Sequence, residues 1–299
     1  MCFRGACLNY GVNVSNQSSS NSGQIFVVAT PIGNLGDMSP RAVETLQGVD
    51  LILAEDTRHS IPFLQQFQIQ TKCQAFHEHN EREISEQLCQ RVLAGESLAL
   101  ISDAGVPLIS DPGFPLVRLA HQYHIPVVSI PGACALISAL SVSGLATDRF
   151  SFEGFLPAKR VARQKILKAL VKEPRTIVFY EAPRRLLDTL QDMVEIYGHE
   201  RRAVLARELT KLFETVRNLP LGELLEFVQA DENQRKGECV LLLEGVIVEE
   251  SDTDSIESEE LLRVLLAELP VKQAVALAVK ITGAHRNQLY QMALQIKDE

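Results

Sequence analysis

The sequence predicts an α/β protein built from two sheet domains with a small all-helical piece at the C-terminus. Three observations predict it. Short apolar, β-branched runs alternate with amphipathic stretches from residue 25 to 144, the pattern of a parallel sheet with helices on both faces. A second alternating set runs from 150 to 244, but two of its strand-like runs are adjacent, so that sheet is expected to be mixed. From about Leu261 onward only helical periodicity remains. The length of 299 residues suits a body of two domains at about 150 residues each.

In chain order, residues 1–23 are rich in Ser, Asn and Gly and cannot build a core, so they read as a disordered extension without a signal-peptide pattern. In the first domain, 24–147, the strand candidates are 25–29, 50–55, 73–76, 97–102 and 126–130. Helices fit at 40–46, 61–67, 84–93, 115–121 and 132–144. In the second domain, 148–247, strands fit at 150–155, 176–180, 203–209, 211–216 and 239–244, with a hairpin around Thr210, and helices at 158–172, 184–196 and 221–229. Residues 248–260 read as an acidic linker that repels itself into an extended form. Residues 261–299 form the helical piece, in which 269–294 reads as helix, tight turn at Gly283, helix, resembling a helix-turn-helix.

The formal net charge of −9 argues against binding nucleic acid through bulk charge. The distribution removes that argument. Residues 249–260 hold seven acids and no base, whereas 158–172 hold Lys159, Arg160, Arg163, Lys165, Lys168 and Lys172 and no acid. The basic stretch suits a helix with one apolar face, whose cations either merely solvate it or bind an anion. The helical piece likewise reads either as a bundle packed on the body or as an RNA-docking module presenting Lys280 and Arg286. No apolar run approaches the roughly 20 residues that span a bilayer, so no membrane partner is expected. The cysteines, Cys2, Cys7, Cys73, Cys89, Cys134 and Cys239, form no CxxC pair, which points away from zinc or a disulfide framework and toward a reducing cytoplasm.

The chemistry gathers where the first-domain strands end, in TPIGNLGD (30–37), AEDTRHS (54–60), HEHN (77–80), SDAGVPLISDPG (102–113) and PGACALISAL (131–140). In a parallel sheet all these loops share one edge, and ligands bind there where the strand order reverses. GxGxxG is absent, so a nicotinamide site is not expected. GxSxG is absent, so a serine hydrolase is not expected. His77 and His79 alternate on an extended segment, a weak pattern for a metal, and no metal is expected. Glu55, Asp56 and Arg58 are either a structural ion-pair cluster or part of a site.

TPIGNLGDMSPRA, AEDTRHS, SDAGVPLISDPG, the PG-x-C-A segment, EGFLPAK, FYEAPRR, ARELTK and KGE together resemble the 16S ribosomal RNA 2′-O-ribose cytidine methyltransferases, a family of the tetrapyrrole methylase superfamily. The match runs from about Ile25 to the C-terminus. Val106 and Ala133 depart from the family's threonine and proline but keep the flanking glycine and proline. The resemblance implies a tetrapyrrole-methylase-like fold, with S-adenosyl-L-methionine as cofactor and 16S rRNA or the small ribosomal subunit as partner. It also implies a homodimer. It would place Pro31, Gly33, Asn34, Asp103, Ala104, Gly105, Pro131, Gly132 and Ala133 at the cofactor, with Tyr180, Leu209 and Glu238 from the second domain. Methyl transfer needs the hydroxyl in line with the methyl–sulfur bond and a base or orienter for its proton. Glu55 and Asp56 are the candidates, with Glu208 as rival, while Arg58 and Arg207 suit bidentate contact with phosphates. Lys159, Arg160, Arg163, Lys168 and Arg184 would extend the RNA contact. A tetrapyrrole methylase and a non-catalytic RNA-binding protein are the other readings.

Overall fold

The computed structural model describes residues 23–246, 250–283 and 285–298. The N-terminal extension therefore lies, apart from Gly23, outside the described residues. The chain divides into two compact units, one running to Ser138 and including Leu209–Leu212, the other comprising Ala139–Glu208 and the residues from Phe213 onward. The division falls upstream of the 147–148 junction read from the sequence.

The first unit holds five parallel strands, β1 (Ile25–Val28), β2 (Leu51–Ala54), β3 (Cys73–Ala75), β4 (Leu98–Ile101) and β5 (Val127–Ile130), in the order β3-β2-β4-β1-β5. Their continuous apolar runs follow from burial on both faces. Leu51, Leu53, Leu98 and Leu100 enter one core, and the alternating Ile52, Ala54, Ala99 and Ile101 enter the other. Between the strands lie α1 (Pro40–Gly48), α2 (Thr57–Gln66), α3 (Glu81–Leu93), α4 (Phe114–Gln122) and, after β5, α5 (Ala135–Ser143). Helix α2 starts before the expected residue 61 because the Asp56 side chain caps it, accepting from Arg58 N. Its polar first turn carried no apolar period. The strands after β1 build outward through β2 and β3, while β4 returns beside β1 and β5 takes β1's other side. The reversal thus lies between β1 and β4.

The second unit holds β6 (Phe150–Phe155), β7 (Thr176–Glu181), β8 (Arg202–Arg207), β9 (Thr215–Pro220) and β10 (Cys239–Leu243), in the order β6-β7-β10-β8-β9. Strands β6 and β7 are parallel, whereas β10 runs antiparallel to both β7 and β8, and β9 antiparallel to β8, so the sheet is mixed as expected. Strand β9 begins at Thr215 rather than at 211. Leu212 and Phe213, apolar enough to read as strand, are 89% and 67% exposed in the connecting loop.

Three helices pack against this sheet: α6 (Arg160–Ala169), α7 (Leu186–Tyr197) and α8 (Leu221–Ala230). Helix α6 is fixed to α7 by one carboxylate. Asp192, with a side chain 1% exposed, accepts from Arg163 Nε at 2.7 Å, Arg160 Nε at 2.8 Å and Gln164 Nε2 at 2.9 Å. Arg160 also reaches Glu195 at 2.7 Å. The expectation that all the cations of this helix cover its outer face is corrected for Arg163, which is buried. Lys159, Lys165, Lys168 and Lys172 remain exposed.

The C-terminal helices are α9 (Glu250–Glu268), α10 (Val271–Thr282) and α11 (Arg286–Asp298), packed through Leu262, Val275, Ala278, Leu289 and Ala293. Gly283 ends α10 at φ +74°, its N–H donating to Val279 O, the left-handed cap that glycine supplies without a Cβ penalty. Residues 250–260, expected as an extended linker, instead begin α9. From Leu261 the leucines of α9 pack into the core of the C-terminal helices, with Leu262 fully buried. Residues 247–249 lie outside the described residues.

Replacing Asp192 with Ala leaves a buried guanidinium unpaired. It should lower unfolding stability by about 3–5 kcal/mol in denaturant titration, with Asp192→Asn losing less.

Candidate active site

In the first unit the loops after all five strands emerge at one sheet edge, as parallel strands require. At the reversal, Thr30 and Gly105 exchange backbone hydrogen bonds, Thr30 N to Gly105 O at 2.8 Å and Gly105 N to Thr30 O at 3.1 Å. The Thr30 hydroxyl also donates to Ser102 O at 3.2 Å. This pairing closes the floor between the loops after β1 and β4 and leaves Asp103 and Ala104 exposed above it. Gly105 holds φ +84°. Leu108 and Ser110, at φ +73° and +71°, lie in the same 102–113 loop. Such conformations cost an L residue about 1–2 kcal/mol and persist where the surroundings enforce them, commonly at functional sites.

Pro31 is buried, whereas Gly33 and Asn34 are exposed, and Asn34 caps the following turn by accepting from Gly36 N. A Cβ on Gly33 would fall 2.5 Å from Lys211 Cγ, so glycine there admits the 209–212 segment. Leu209 is buried. Pro131 and Gly132 are exposed after β5, with Gly132 so close to Ala29 that a Cβ would sit 2.9 Å from that methyl.

The carboxylates of this edge divide by environment. Asp56 is bound by Arg58 through Nε at 2.9 Å and Nη2 at 2.6 Å while it caps α2. Those bonds hold its pKa well below the usual carboxylate range. Arg58 itself is 85% exposed. Glu55 is half-buried without a hydrogen-bond or ion-pair partner among the described residues. Burial raises its pKa, reinforced by the charges of Asp103, Glu78 and Asp56. Asp111 is pushed up to about 7 by burial, then by Glu55 and Asp103, against a hydrogen bond from Ser102. His59 Nδ1 lies 3.5 Å from Asp103 Oδ2, and His77 Nδ1 is buried without a hydrogen-bond partner among the described residues. The sequence reading missed Asp111 and His59. Asp111 was quoted only as part of a turn-rich loop, and its burial has no linear signal.

In the second unit, parallel β6, β7 and β8 all end where antiparallel β10 begins, so EGFLPAK, FYEAPRR, ARELTK and KGE gather at one end of the sheet. Glu181 is buried there, accepting from Thr189 Oγ1 at 2.7 Å and paired with Arg185 at 2.7 Å. Arg185 donates in turn to Leu156 O at 3.0 Å. Arg207, 6% exposed, donates to Gln234 Oε1, Lys236 O, Phe213 O and Thr215 Oγ1. It fastens the end of β8 and, contrary to the sequence reading, offers no open fork to a phosphate. Glu208, at φ +52°, accepts from Glu238 N at 3.0 Å while its own N–H donates to Glu238 O at 2.9 Å. A Cβ on Gly237 would fall 2.1 Å from the Glu208 carboxylate. Glu208 is thus a clamp on the β10 entry, which weakens its candidacy as a base. Tyr180 is half-buried beside Phe152 and Phe155, and Glu238 is exposed. Lys159, Lys168, Arg184, Lys280 and Arg286 are exposed, while Arg160 and Arg163 are engaged with Asp192.

Among the described residues, no cluster of His, Cys, Asp and Glu has the arrangement to hold a metal ion, and no helix is long and apolar enough to cross a membrane.

A family profile described as Tetrapyrrole (Corrin/Porphyrin) Methylases matches residues 24–225, and one described as RsmI C-terminal HTH domain matches residues 252–297. The chain is 58% identical to the ribosomal RNA small subunit methyltransferase I of Pseudomonas aeruginosa, over 92% of this chain and 98% of that protein. It is 52% identical to the protein of that name from Escherichia coli O157:H7, over 94% and 98%. Among solved structures, diphthine synthase superposes with a TM-score of 0.57 at 15% identity, covering 75% of this chain and 90% of that one. Uroporphyrin-III C-methyltransferase from Thermus thermophilus, complexed with S-adenyl homocysteine, gives 0.52 at 16% identity, covering 74% and 97%. At those identities the structures speak for the fold alone. With the parallel and mixed sheets, the helical C-terminal piece and these relatives together, the chain belongs to the ribosomal RNA small subunit methyltransferase I family of the tetrapyrrole methylases.

Proposed function

We propose that the protein transfers a methyl group from S-adenosyl-L-methionine to the ribose 2′-oxygen of a cytidine in the decoding region of 16S rRNA. The observation that carries the mechanism is Glu55, a half-buried carboxylate at the end of β2 without a hydrogen-bond or ion-pair partner among the described residues. S-adenosyl-L-methionine, when bound, supplies an electrophilic methyl on a cationic sulfonium. The residues present fit it. Exposed backbone at 103–104 and 131–132 lies at the sheet edge that also carries the Asp103 carboxylate, which favours a positive group. Glu55 accepts the hydroxyl proton as the oxygen becomes a nucleophile, a role that positioned bases fill at about 10²–10⁴-fold in rate. Asp56, locked on Arg58, orients the loop instead. Lys159, Lys168, Arg184, Lys280 and Arg286 lie open to the RNA backbone. The reading brings a cytoplasmic location, in keeping with the free Cys73, Cys89, Cys134 and Cys239, and a homodimer from the family resemblance.

The direct test incubates the protein with methyl-labelled cofactor and small subunits, naked rRNA or a tetrapyrrole precursor. Label on an alkali-resistant cytidine linkage is expected, and label on the tetrapyrrole alone would overturn the reading.

Glu55→Gln should lower kcat by about 10²–10⁴-fold with cofactor Kd nearly unchanged, measured by single-turnover methylation and calorimetry. Because Glu55 must be ionised to act and its pKa is raised, wild-type kcat should climb with pH through a value above 4.5, and the Gln variant should lose that limb. Asp111 has a folded-state pKa near 7 against 3.8 unfolded, so the folded chain holds the extra proton and its stability falls as pH rises between them. Asp111→Asn should flatten that fall and stabilise the protein at pH 7, by at most about 4 kcal/mol, in denaturant titrations across pH. RNA affinity should drop steeply with salt, and Lys168→Ala should reduce the log–log slope by about 0.7–0.9, the contribution of one phosphate contact.

A further inference from the structure

Strand β6 carries an irregularity that the methyl-transfer mechanism does not use. Its pairing with β7 runs Phe152 opposite Val178 and then Phe155 opposite Tyr180, three residues of β6 against two of β7. The extra residue is accommodated at Gly154, φ +66°. In a regular strand, residues three apart point to opposite faces. Here the bulge brings both phenylalanines to one ring, with Phe152 at 4.8 Å and Phe155 at 5.6 Å from the Tyr180 centroid. Bulges re-aim side chains in this way beside functional sites. Phe155 is 53% exposed, so an aromatic ring held against Tyr180 remains open to solvent.

Two exposed cations stand on the loops that follow β6 and β7. Parallel β6 and β7 deliver their following loops to the same end of the sheet, and Arg185 ties those loops together through Leu156 O. Lys159 closes one loop and Arg184 lies on the other. Both are exposed and lack a partner among the described residues. An aromatic face flanked by free cations matches an unpaired base whose own backbone carries phosphates. The adenine of the methyl donor has a similar π-face, but that donor carries no phosphate and is itself cationic.

We infer that Phe155, held on Tyr180 by the β6 bulge, is a stacking platform for an unpaired base of the RNA substrate, with Lys159 and Arg184 on the adjacent phosphates. The inference rests on the proposed RNA methylation and names how the substrate is gripped.

The sequence contains no tryptophan, so Phe155→Trp introduces a single such fluorophore at the platform. The variant is titrated with a single-stranded RNA oligonucleotide, the same sequence as a blunt duplex, and S-adenosyl homocysteine alone. Quenching by the single strand, weak response to the duplex and none to the cofactor product are expected. Phe155→Ala should raise KM for RNA by about tenfold or more, Phe155→Leu should not restore it, and Phe155→Tyr should. Cofactor Kd should be unchanged throughout. Equal quenching by duplex and single strand, quenching by the cofactor product alone, or an unchanged KM in Phe155→Ala overturns the platform while leaving RNA methylation intact. Failure of the wild type to methylate RNA removes the function beneath it.

Discussion

Parallel strands impose one constraint from which the rest of the first unit follows: every strand ends at the same edge. Five loops must share that edge, and their peptide groups need partners where the ladder stops. Thr30 and Gly105 meet the need at the reversal by pairing with each other. That pairing determines how far the loops after β1 and β4 separate, and it holds Asp103 and Ala104 above the floor. Gly105 is required by its left-handed backbone, and Leu108 and Ser110 hold comparable strain in a loop tied at one end by Thr30 and at the other by the Gly113 N–H, which donates to the Glu81 carboxylate at 2.8 Å.

Within this frame the acids fall into two groups. Asp56, Glu181, Asp192 and Glu208 are each engaged by arginine or by backbone N–H groups, and they hold elements together. Glu55 and Asp111 have no arginine beside them. Burial and mutual repulsion make their ionised forms unfavourable, which raises the proton affinity of both. A carboxylate therefore gains chemical use here through what it lacks. The arginines show the same contrast, since Arg163, Arg185 and Arg207 are structural while Arg184 stands open.

Much of this architecture was legible in the sequence because its signals are local. Continuous apolar strands, proline–glycine corners and the Gly283 turn point to the strands of both sheets and to the last two helices, although several element ends shift by a few residues. What stayed hidden depends on long-range partners. Residues 158–172 reveal six cations, but only the fold shows that Asp192 turns Arg163 inward. The motif ARELTK names Glu208 without revealing that Gly237 is its packing partner. The start of β9 was misplaced because Leu212 and Phe213 are apolar yet exposed, and the beginning of α9 was missed because an acidic run has no hydrophobic period. Glu55 and Asp56 are adjacent letters of equal promise, and the helix cap and the Arg58 pair on Asp56 separate them.

The short Leu209–Leu212 segment belongs to the first unit although the chain on either side belongs to the second. Gly33 leaves room for Lys211, so the loop after the first strand is packed against residues made much later. During synthesis the first sheet can form early, but its leading loop waits until β6, β7 and β8 have been translated. The chain thus carries its own order of assembly: the edge bearing the chemistry is completed only after three of the five strands of the second sheet have been made.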